Sequence, residues 1–335
     1  MPRIEQISIS PHLTFDALVA GEASAPLVLL LHGFAESMYC WRAQVAALAD
    51  MGYYTVAPSQ RGYSPTARPD PRDASNYHID RLMDDAMAIA TASGYADKRF
   101  HLAGHDWGGS IAWALADRYS ERIASLTVLS RPHPNSFNRA LQMLDGEQAQ
   151  RSRHHTAFLE PDAADVVLAD DAKWLRERLA ANGMPASAIA EHLTVLANKE
   201  TMEAALAWYR ARGAIRGPLG PTRVPTLYIW GDADDTVGRT AAEGTVDFVA
   251  APYRFEVLPG VGHFAADQAP DRVSELMLEH LRSHPLWREP ITPPSPTPTP
   301  APRSSPACSA APACARSTPS DWHVAHPAPT IPEQA

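Results

Sequence analysis

The fold of this chain is decided by the stretch Gly104-His105-Asp106-Trp107-Gly108-Gly109. It directly follows a short apolar run, FHLA (100–103), and directly precedes a run of helical character, SIAWALADRY (110–119). A Gly-x-nucleophile-x-Gly sequence between a strand and a helix is typical of the nucleophile elbow, a strained turn where side chains at the glycine positions would clash with neighbouring backbone. We therefore predict that Asp106 is a nucleophile at the carboxyl end of a buried strand.

A carboxylate at this position has chemical consequences. A serine that attacked an sp³ carbon would leave a stable ether, whereas a carboxylate leaves an ester that water can hydrolyse. The helix that follows Asp106 would help to keep its side chain ionised. The alternative is that Asp106 only caps that helix. The elbow favours the nucleophile and predicts transfer of an alkyl group to Asp106.

Short apolar runs alternate with helical periods on both sides of the elbow. One helix is predicted from Ile79 to Ala90, ending before Gly94. Several of the runs are apolar on both faces, which is typical of a mostly parallel central sheet with helices on both faces, and the chain is therefore assigned to the α/β class. The predicted strands are Pro26–Leu31, Tyr53–Ala57, Phe100–Ala103, Leu126–Leu129, Thr226–Trp230 and Tyr253–Leu258.

The alternation is interrupted between about Arg131 and Gly217, where only helical windows occur (164–179, 186–196 and 200–210). We interpret residues 131–217 as an inserted all-helical lid between two parts of an α/β core, 1–130 and 218–285. Ligands of open α/β sheets bind at the edge that such a lid would cover. Residues 286–335 are rich in proline and poor in large apolar side chains, and are predicted to be a disordered tail.

Two loops supply partners for Asp106 in the chain order nucleophile, acid, histidine. The loop after the strand TLYIW contains Asp232, Asp234 and Asp235, and the loop after YRFEVL contains His263. His263 is the candidate general base for a hydrolytic water, and a carboxylate would orient its ring. We choose Asp234 for that carboxylate, with Asp232 and Asp235 as alternatives because aspartates are common in turns.

An oxyanion hole is predicted where His32-Gly33-Phe34 follows the strand PLVLLL. The backbone N–H groups of Phe34 and Trp107 would converge on the ester carbonyl oxygen of Asp106. For His32 and His105 we favour a structural interpretation, buried and hydrogen-bonded, over a catalytic one.

Composition limits the partners and the location of the protein. The chain has 335 residues, a net charge of −9 and a pI near 5.8, so neither nucleic acid nor a membrane surface is an expected partner. The longest apolar run is far shorter than the roughly 20 residues that span a bilayer. We see no secretory signal, and three cysteines do not suggest a disulfide framework. We expect a cytoplasmic monomer or homodimer that requires neither metal nor cofactor.

Five segments in this order resemble the epoxide hydrolase branch of the α/β-hydrolase superfamily over about residues 1–285: HGFAESMYCWRAQ, QRGYSPTARP, GHDWGG, ALAWYR and GVGHF. The resemblance implies an α/β-hydrolase fold and the opening of an epoxide by water to a vicinal diol. In that family, lid hydroxyl groups hydrogen-bond the epoxide oxygen, and Tyr209 matches one such tyrosine. The second position falls at His154, beside His155, and part of the family pairs a histidine with the tyrosine.

The chain departs from the family pattern at Ala35, where proline is usual, and at Ser59, where aspartate is usual. Haloalkane dehalogenases also carry an Asp elbow followed by Trp, but they commonly use an Asn that Phe34 replaces here. A retired hydrolase scaffold acting as a binding protein is the other alternative, against which the set of Asp106, Asp234 and His263 argues. We expect a small, hydrophobic substrate, with a pocket lined by Phe34, Trp107, Phe158 and Trp208.

Overall fold

The structure, a computed structural model, describes residues 1–144, 146–211 and 219–286. The chain folds around one eight-stranded sheet. Its strands are β1 (Arg3–Ser10), β2 (Leu13–Ala20), β3 (Leu27–Leu31), β4 (Tyr54–Pro58), β5 (Phe100–His105), β6 (Ile123–Leu129), β7 (Thr226–Gly231) and β8 (Tyr253–Leu258). The strands lie in the order β1-β2-β4-β3-β5-β6-β7-β8, and the last six strands in this order, β4, β3, β5, β6, β7 and β8, run parallel to one another. The predicted mostly parallel sheet is confirmed.

The hairpin of β1 and β2 was not among the predicted strands. β2 pairs antiparallel with β1 and with β4, so the hairpin extends one edge of the parallel sheet. β1 is mostly exposed and buries Ile7 alone, while Asp16 interrupts the apolar residues of β2. Neither strand therefore shows the continuous apolar run that identifies a strand buried on both faces.

The helices are α1 (Arg42–Asp50), α2 (Ile79–Ala90), α3 (Trp107–Arg118), α4 (Pro134–Leu141), α5 (Glu147–Arg151), α6 (His154–Ala157), α7 (Ala163–Ala181), α8 (Ala186–Leu196), α9 (Lys199–Arg210), α10 (Arg239–Glu243), α11 (Ala265–Gln268) and α12 (Pro270–Ser283). α2 begins and ends where its apolar period predicted. Two separate apolar clusters cover the two faces of the sheet. In β3, Val28 and Leu30 belong to the cluster with α1 and α12, whereas Leu29 and Leu31 belong to the cluster with α2 and α3, as the alternation of side chains along a strand requires. Helices on both faces are thereby confirmed.

In the described part of the chain between β6 and β7 there are six helices, α4 to α9. The three predicted helical windows correspond to α7, α8 and α9. α7 is not one regular helix, because Ala169–Ala172 depart from helical angles and Asp170, Asp171 and Ala172 have positive φ. The second half of α7, after Ala172, therefore follows a break in the helix.

Two predictions cannot be followed in the structure. The Pro-rich tail, 286–335, lies outside the described residues except for Leu286, and so do Cys308 and Cys314. The predicted boundary at 217 and 218 also lies outside them. Within the described ranges, no helix is both long enough and apolar enough to span a membrane, and Cys40 is buried and unpaired.

Candidate active site

The elbow places Asp106 between β5 and α3 with an unusual backbone conformation, φ 47° and ψ −115°. Two glycines make this turn possible. A Cβ at Gly104 would lie 2.3 Å from the carbonyl oxygen of Gly108, and a Cβ at Gly108 would lie 2.1 Å from the carbonyl oxygen of Leu31. The side chain of Asp106 makes no capping hydrogen bond to α3, so the helix-cap alternative is wrong. Such strain at a buried carboxylate is typical of a functional position.

The carboxylate of Asp106 is turned towards the loop after β3. The backbone N–H of Phe34 donates to Asp106 Oδ1 at 3.1 Å. The hydrogen bond from Phe34 is present although the next residue is Ala35, where the family pattern usually has proline. Trp107 is the first residue of α3, so its backbone N–H has no acceptor within the helix. The role of both N–H groups as an oxyanion hole stays a prediction.

His263, in the loop after β8, connects Asp106 with Asp234. Its Nε2 lies 3.7 Å from Asp106 Oδ2, and its Nδ1 lies 3.0 Å from Asp234 Oδ2. Asp234 Oδ1 also accepts from the backbone N–H groups of Thr236 and Val237, which fix the carboxylate. The structure therefore brings together Asp106, Asp234 and His263, the three side chains chosen from the sequence.

The two alternative aspartates lie elsewhere in the same loop, and both are exposed. Asp232 accepts from the backbone N–H of Gly260 at 2.6 Å, and Asp235 accepts from the side-chain amide of Asn182 at 3.2 Å. Of the three aspartates, Asp234 is the one in contact with His263.

The two carboxylates beside His263, those of Asp106 and Asp234, determine its protonation state. Burial alone would lower the pKa of His263, but Asp234 and Asp106 outweigh it and raise that pKa to about 10. Burial would likewise raise the pKa of Asp106, yet the hydrogen bond and charge of His263 hold it well below the ordinary value, helped by the charges of His105 and Arg131. At neutral pH the resting site thus contains an ionised Asp106 beside an imidazolium.

A cavity of about 380 Å³, counted with its solvent-open mouth, lies above Asp106 and His263. Its remaining lining is largely apolar: Phe34, Ala35, His154, Phe158, Trp174, Leu175, Arg178, Leu179, Tyr209, Thr236 and Phe264. Phe34, Phe158 and Tyr209 form an aromatic wall with ring centroids 5.0 to 5.6 Å apart. α6, α7 and α9 each contribute side chains to the lining of the cavity.

Two predicted pocket residues, Trp107 and Trp208, are not among the described residues that line the cavity. The indole of Trp208 is buried, packs edge-on against Tyr63 and donates to the carbonyl oxygen of Arg61. Trp107 packs against Trp208 and Tyr209. The interpretation of Trp208 as a pocket residue is therefore wrong, because neighbouring positions on a helix point about 100° apart and Tyr209 is the one that faces the cavity.

The predicted lid histidine, His154, lines the cavity, and one of its ring nitrogens is hydrogen-bonded to the protein backbone. Its Nδ1 lies 3.1 Å from the carbonyl oxygen of Arg151, and a carbonyl only accepts, so Nδ1 carries the proton. Burial and the charge of Arg178 lower the pKa of His154 to about 4. His155 packs 5.5 Å from the ring of Tyr209 and is not among the described lining residues.

Comparison with known proteins shows the family of the chain. The sequence profile of the alpha/beta hydrolase fold matches residues 26–270. Human epoxide hydrolase 4 is 32% identical over 285 residues, which cover 81% of this chain and 76% of that protein. Epoxide hydrolase A of Mycobacterium tuberculosis is 31% identical over 305 residues, which cover 78% of this chain and 92% of that protein. The chain belongs to the epoxide hydrolase branch of the α/β-hydrolase superfamily.

Solved structures extend the likeness to the fold. Epoxide hydrolase A from Mycobacterium thermoresistibile superposes with a TM-score of 0.71 at 25% identity, covering 86% of this chain and all of that one. A structure described among novel epoxide hydrolases in metagenomes from hot environments superposes with a TM-score of 0.71 at 26% identity, and the match covers 84% of this chain and 99% of that one. The chain is thus an enzyme of the hydrolase class with the fold predicted from its elbow.

In this α/β-hydrolase two further histidines near the site, His32 and His105, are buried and hydrogen-bonded, in keeping with the structural interpretation. His32 is buried and neutral, because its Nε2 accepts from the N–H of Gln60 and burial lowers its pKa to about 4. His105 donates from Nε2 to the carbonyl oxygen of His263 at 2.9 Å and from Nδ1 to Glu36 at 2.6 Å. The buried Glu36 was not singled out in the sequence, although its position two residues after Phe34 places it at the same sheet edge.

One group of side chains has the composition of a metal site. Ligand atoms of Glu36, His192 and Asp267 lie within 4.8 Å of one another and are buried. Both nitrogens of His192 are in use, however: Nε2 contacts Asp267 at 3.0 Å and Nδ1 accepts from the N–H of Ser37. Asp267 also pairs with Arg42 at 2.7 Å. The arrangement is a hydrogen-bonded network that joins α8 and α11 to the loop after β3.

Proposed function

We propose that this hydrolase opens epoxides to vicinal diols through a covalent ester with Asp106. One observation carries the proposal: a buried carboxylate occupies the elbow and is linked through His263 to Asp234. The relatives named as epoxide hydrolases support the same reaction class. The substrate would be a small, largely hydrophobic epoxide, in keeping with the apolar lining of the cavity.

In the first half-reaction, an oxygen of Asp106 attacks an epoxide carbon while the ring C–O bond breaks. A C–O bond to Asp106 forms, and the ring oxygen leaves with the electron pair as an alkoxide. The low pKa of Asp106 keeps the attacking oxygen ionised. We assign Tyr209, on the cavity wall, as the donor to the developing alkoxide, since a positioned donor stabilises that charge more than the neutral epoxide.

In the second half-reaction, water attacks the ester carbonyl. Esterification removes the charge of Asp106, one of the two carboxylates that raise the pKa of His263, so the imidazolium more readily releases its proton to solvent, and the alkoxide takes up a proton from solvent to become the free hydroxyl of the ester. His263 can then take a proton from water, while Asp234 orients its ring. The backbone N–H groups of Phe34 and Trp107 would stabilise the oxyanion. As it collapses, His263 returns a proton to the leaving alkoxide oxygen, which releases the diol, and then takes the proton of the new carboxylic acid, which restores the carboxylate of Asp106 beside an imidazolium.

The helical segment 131–217 would act as a lid, since α6, α7 and α9 contribute side chains to the cavity wall. His154 is proposed as the second lid group. It can donate from Nε2 only as an imidazolium, because Nδ1–H is directed at Arg151. Tyr209 is therefore the principal donor at neutral pH.

A substrate panel tests this proposal against halide chemistry. The purified protein is incubated with aryl and alkyl epoxides and with bromoalkanes of matched length, and diol and bromide are measured, with Asp106→Ala as the control. The proposal requires diol formation that Asp106→Ala abolishes. Bromide release without diol would instead identify a dehalogenase, and the absence of both products would favour a binding protein.

A further inference from the structure

The cavity wall contains one side chain with a permanent positive charge among the described lining residues, that of Arg178 on α7. The neighbouring lining residues of the same helix, Trp174, Leu175 and Leu179, are apolar. The side chain of Arg178 is 31% exposed, while Asp106 is nearly buried. Arg178 thus lies towards the opening of the cavity and the nucleophile lies at its depth.

The guanidinium of Arg178 is only loosely engaged by the protein. Its Nη1 lies 3.3 Å from Asp235 Oδ2, and its Nη2 lies 3.4 Å from Thr236 Oγ1. Charge-assisted hydrogen bonds of this type are ordinarily about 2.7–2.9 Å long. An arginine offers five N–H donors in a planar fork, so most of this donor capacity is not used by close contacts.

A buried arginine elsewhere in the chain, Arg61, shows how a fully bound guanidinium differs. Arg61 binds Asp85 with two bonds of 2.6 Å, from Nε and Nη2, and both side chains are buried. That arrangement occupies the guanidinium fork with one carboxylate. Asp235, in contrast, is about half exposed and shares its carboxylate with Asn182 and Thr236.

We propose that Arg178 is a specificity-determining residue that binds a carboxylate group carried by the epoxide substrate. This inference rests on the proposed epoxide hydrolysis and narrows its substrate class to epoxides with an apolar body and an anionic end. The apolar wall would hold the body between Arg178 and Asp106, and the fork of Arg178 would bind the carboxylate in competition with Asp235.

The test uses a matched pair of epoxides, one with a terminal carboxylate and the other with the corresponding primary amide. The ratio of the two kcat/KM values measures the preference for the charged substrate. A change that slows ring opening equally for both epoxides leaves this ratio unaltered. We expect the protein to favour the carboxylate by about 10-fold or more, since a hydrogen bond to a charged group contributes more than one to a neutral group. Arg178→Gln should bring the ratio close to one, and Arg178→Lys should retain part of it.

Two further variants separate recognition from structure. Asp235→Asn removes the competing carboxylate and should increase the ratio, which a purely structural role of the Arg178–Asp235 pair would not predict. Arg176→Gln removes a charge from the same helix at a position outside the lining residues, where Arg176 pairs with Asp171. It should leave the ratio unchanged.

Binding of a saturated carboxylic acid and its amide, measured by isothermal titration calorimetry, gives a readout that needs no turnover. Preference for the acid that disappears in Arg178→Gln supports the inference. Equal treatment of acid and amide, or a preference that survives in Arg178→Gln, overturns it. If neither epoxide is opened while the acid still binds through Arg178, the proposed reaction fails and the anion site stands.

Discussion

The Nδ1–H of His154 is directed at the backbone carbonyl oxygen of Arg151, at 3.1 Å. The other ring nitrogen, Nε2, therefore carries a lone pair whenever the ring is neutral, and it can only accept a hydrogen bond. The pKa of about 4 makes that the state of His154 at neutral pH. The family resemblance predicts a second epoxide donor at this position, and a ring with its Nδ1–H directed at Arg151 could donate from Nε2 only as an imidazolium.

His154→Tyr should therefore accelerate the alkylation of Asp106 at neutral pH. A tyrosine supplies a hydroxyl donor where the neutral imidazole has none, and a positioned donor is worth about 10-fold or more. Rapid-mixing kinetics of ester formation measure the effect, with His154→Phe as the control of similar shape. A slower reaction in His154→Tyr, together with a fall in wild-type rate between about pH 6 and about pH 8, would mean that the imidazolium is the working donor.

Tyr209→Phe removes one hydroxyl group from the cavity wall at nearly constant shape. It should slow alkylation by about 100-fold while hydrolysis of the ester changes much less, because the alkoxide forms only in the first step. Single-turnover experiments that follow both steps distinguish the two effects. Equal slowing of both steps would indicate a general disturbance of the site.

His263→Gln should form the ester and then accumulate it, because His263 is required as a base only after Asp106 has been alkylated. Intact mass spectrometry of the protein after mixing with substrate detects the adduct. Asp234→Asn should slow the same hydrolysis step by a similar or smaller factor, since the carboxylate acts through the imidazole. Turnover at the wild-type rate in His263→Gln would remove His263 from the mechanism.

Asp106→Ala should lower the pKa of His263 from about 10, because one of the two carboxylates that raise it is lost. The folded protein holds a proton that the unfolded chain releases near the ordinary value of 6.5, so this group stabilises the folded state most below pH 6.5. That contribution is lost as pH rises towards about 10. In Asp106→Ala the loss should be complete at a lower pH, as measured by histidine NMR titration and by denaturation across this range. An unchanged titration would show that Asp234 alone sets the pKa.

Much of this arrangement can be predicted from local sequence, and the remainder depends on long-range contacts. The strands β3 to β7 are short, mostly apolar runs because both faces are buried, whereas β8 lies at the sheet edge and is only partly buried. The elbow requires glycines because a Cβ at Gly104 or Gly108 would lie only 2.1 to 2.3 Å from a backbone oxygen. Trp208 and Tyr209 are adjacent on α9, and the sequence does not say which of them faces the cavity. Arg178 offers a signal in retrospect, since it occupies the same helical face as Leu175 and Leu179.

The charge states depend on residues distant in the chain and could not be derived from spacing. His154 is neutral because it is buried and lies near Arg178, and His263 is protonated because it lies between two carboxylates. The sequence favoured Asp234 but left Asp232 and Asp235 as alternatives, and the contacts of the three side chains distinguish them only in the structure.

The central claim is that water attacks an ester of Asp106 rather than the epoxide itself, and one measurement tests it directly. A single turnover is carried out in heavy-oxygen water with enzyme in excess, and the label is located by mass spectrometry of the peptide that contains Asp106 and of the diol. The covalent mechanism predicts that the label enters the carboxylate of Asp106 and that the first diol released is unlabelled. A labelled diol beside an unlabelled Asp106 would contradict it.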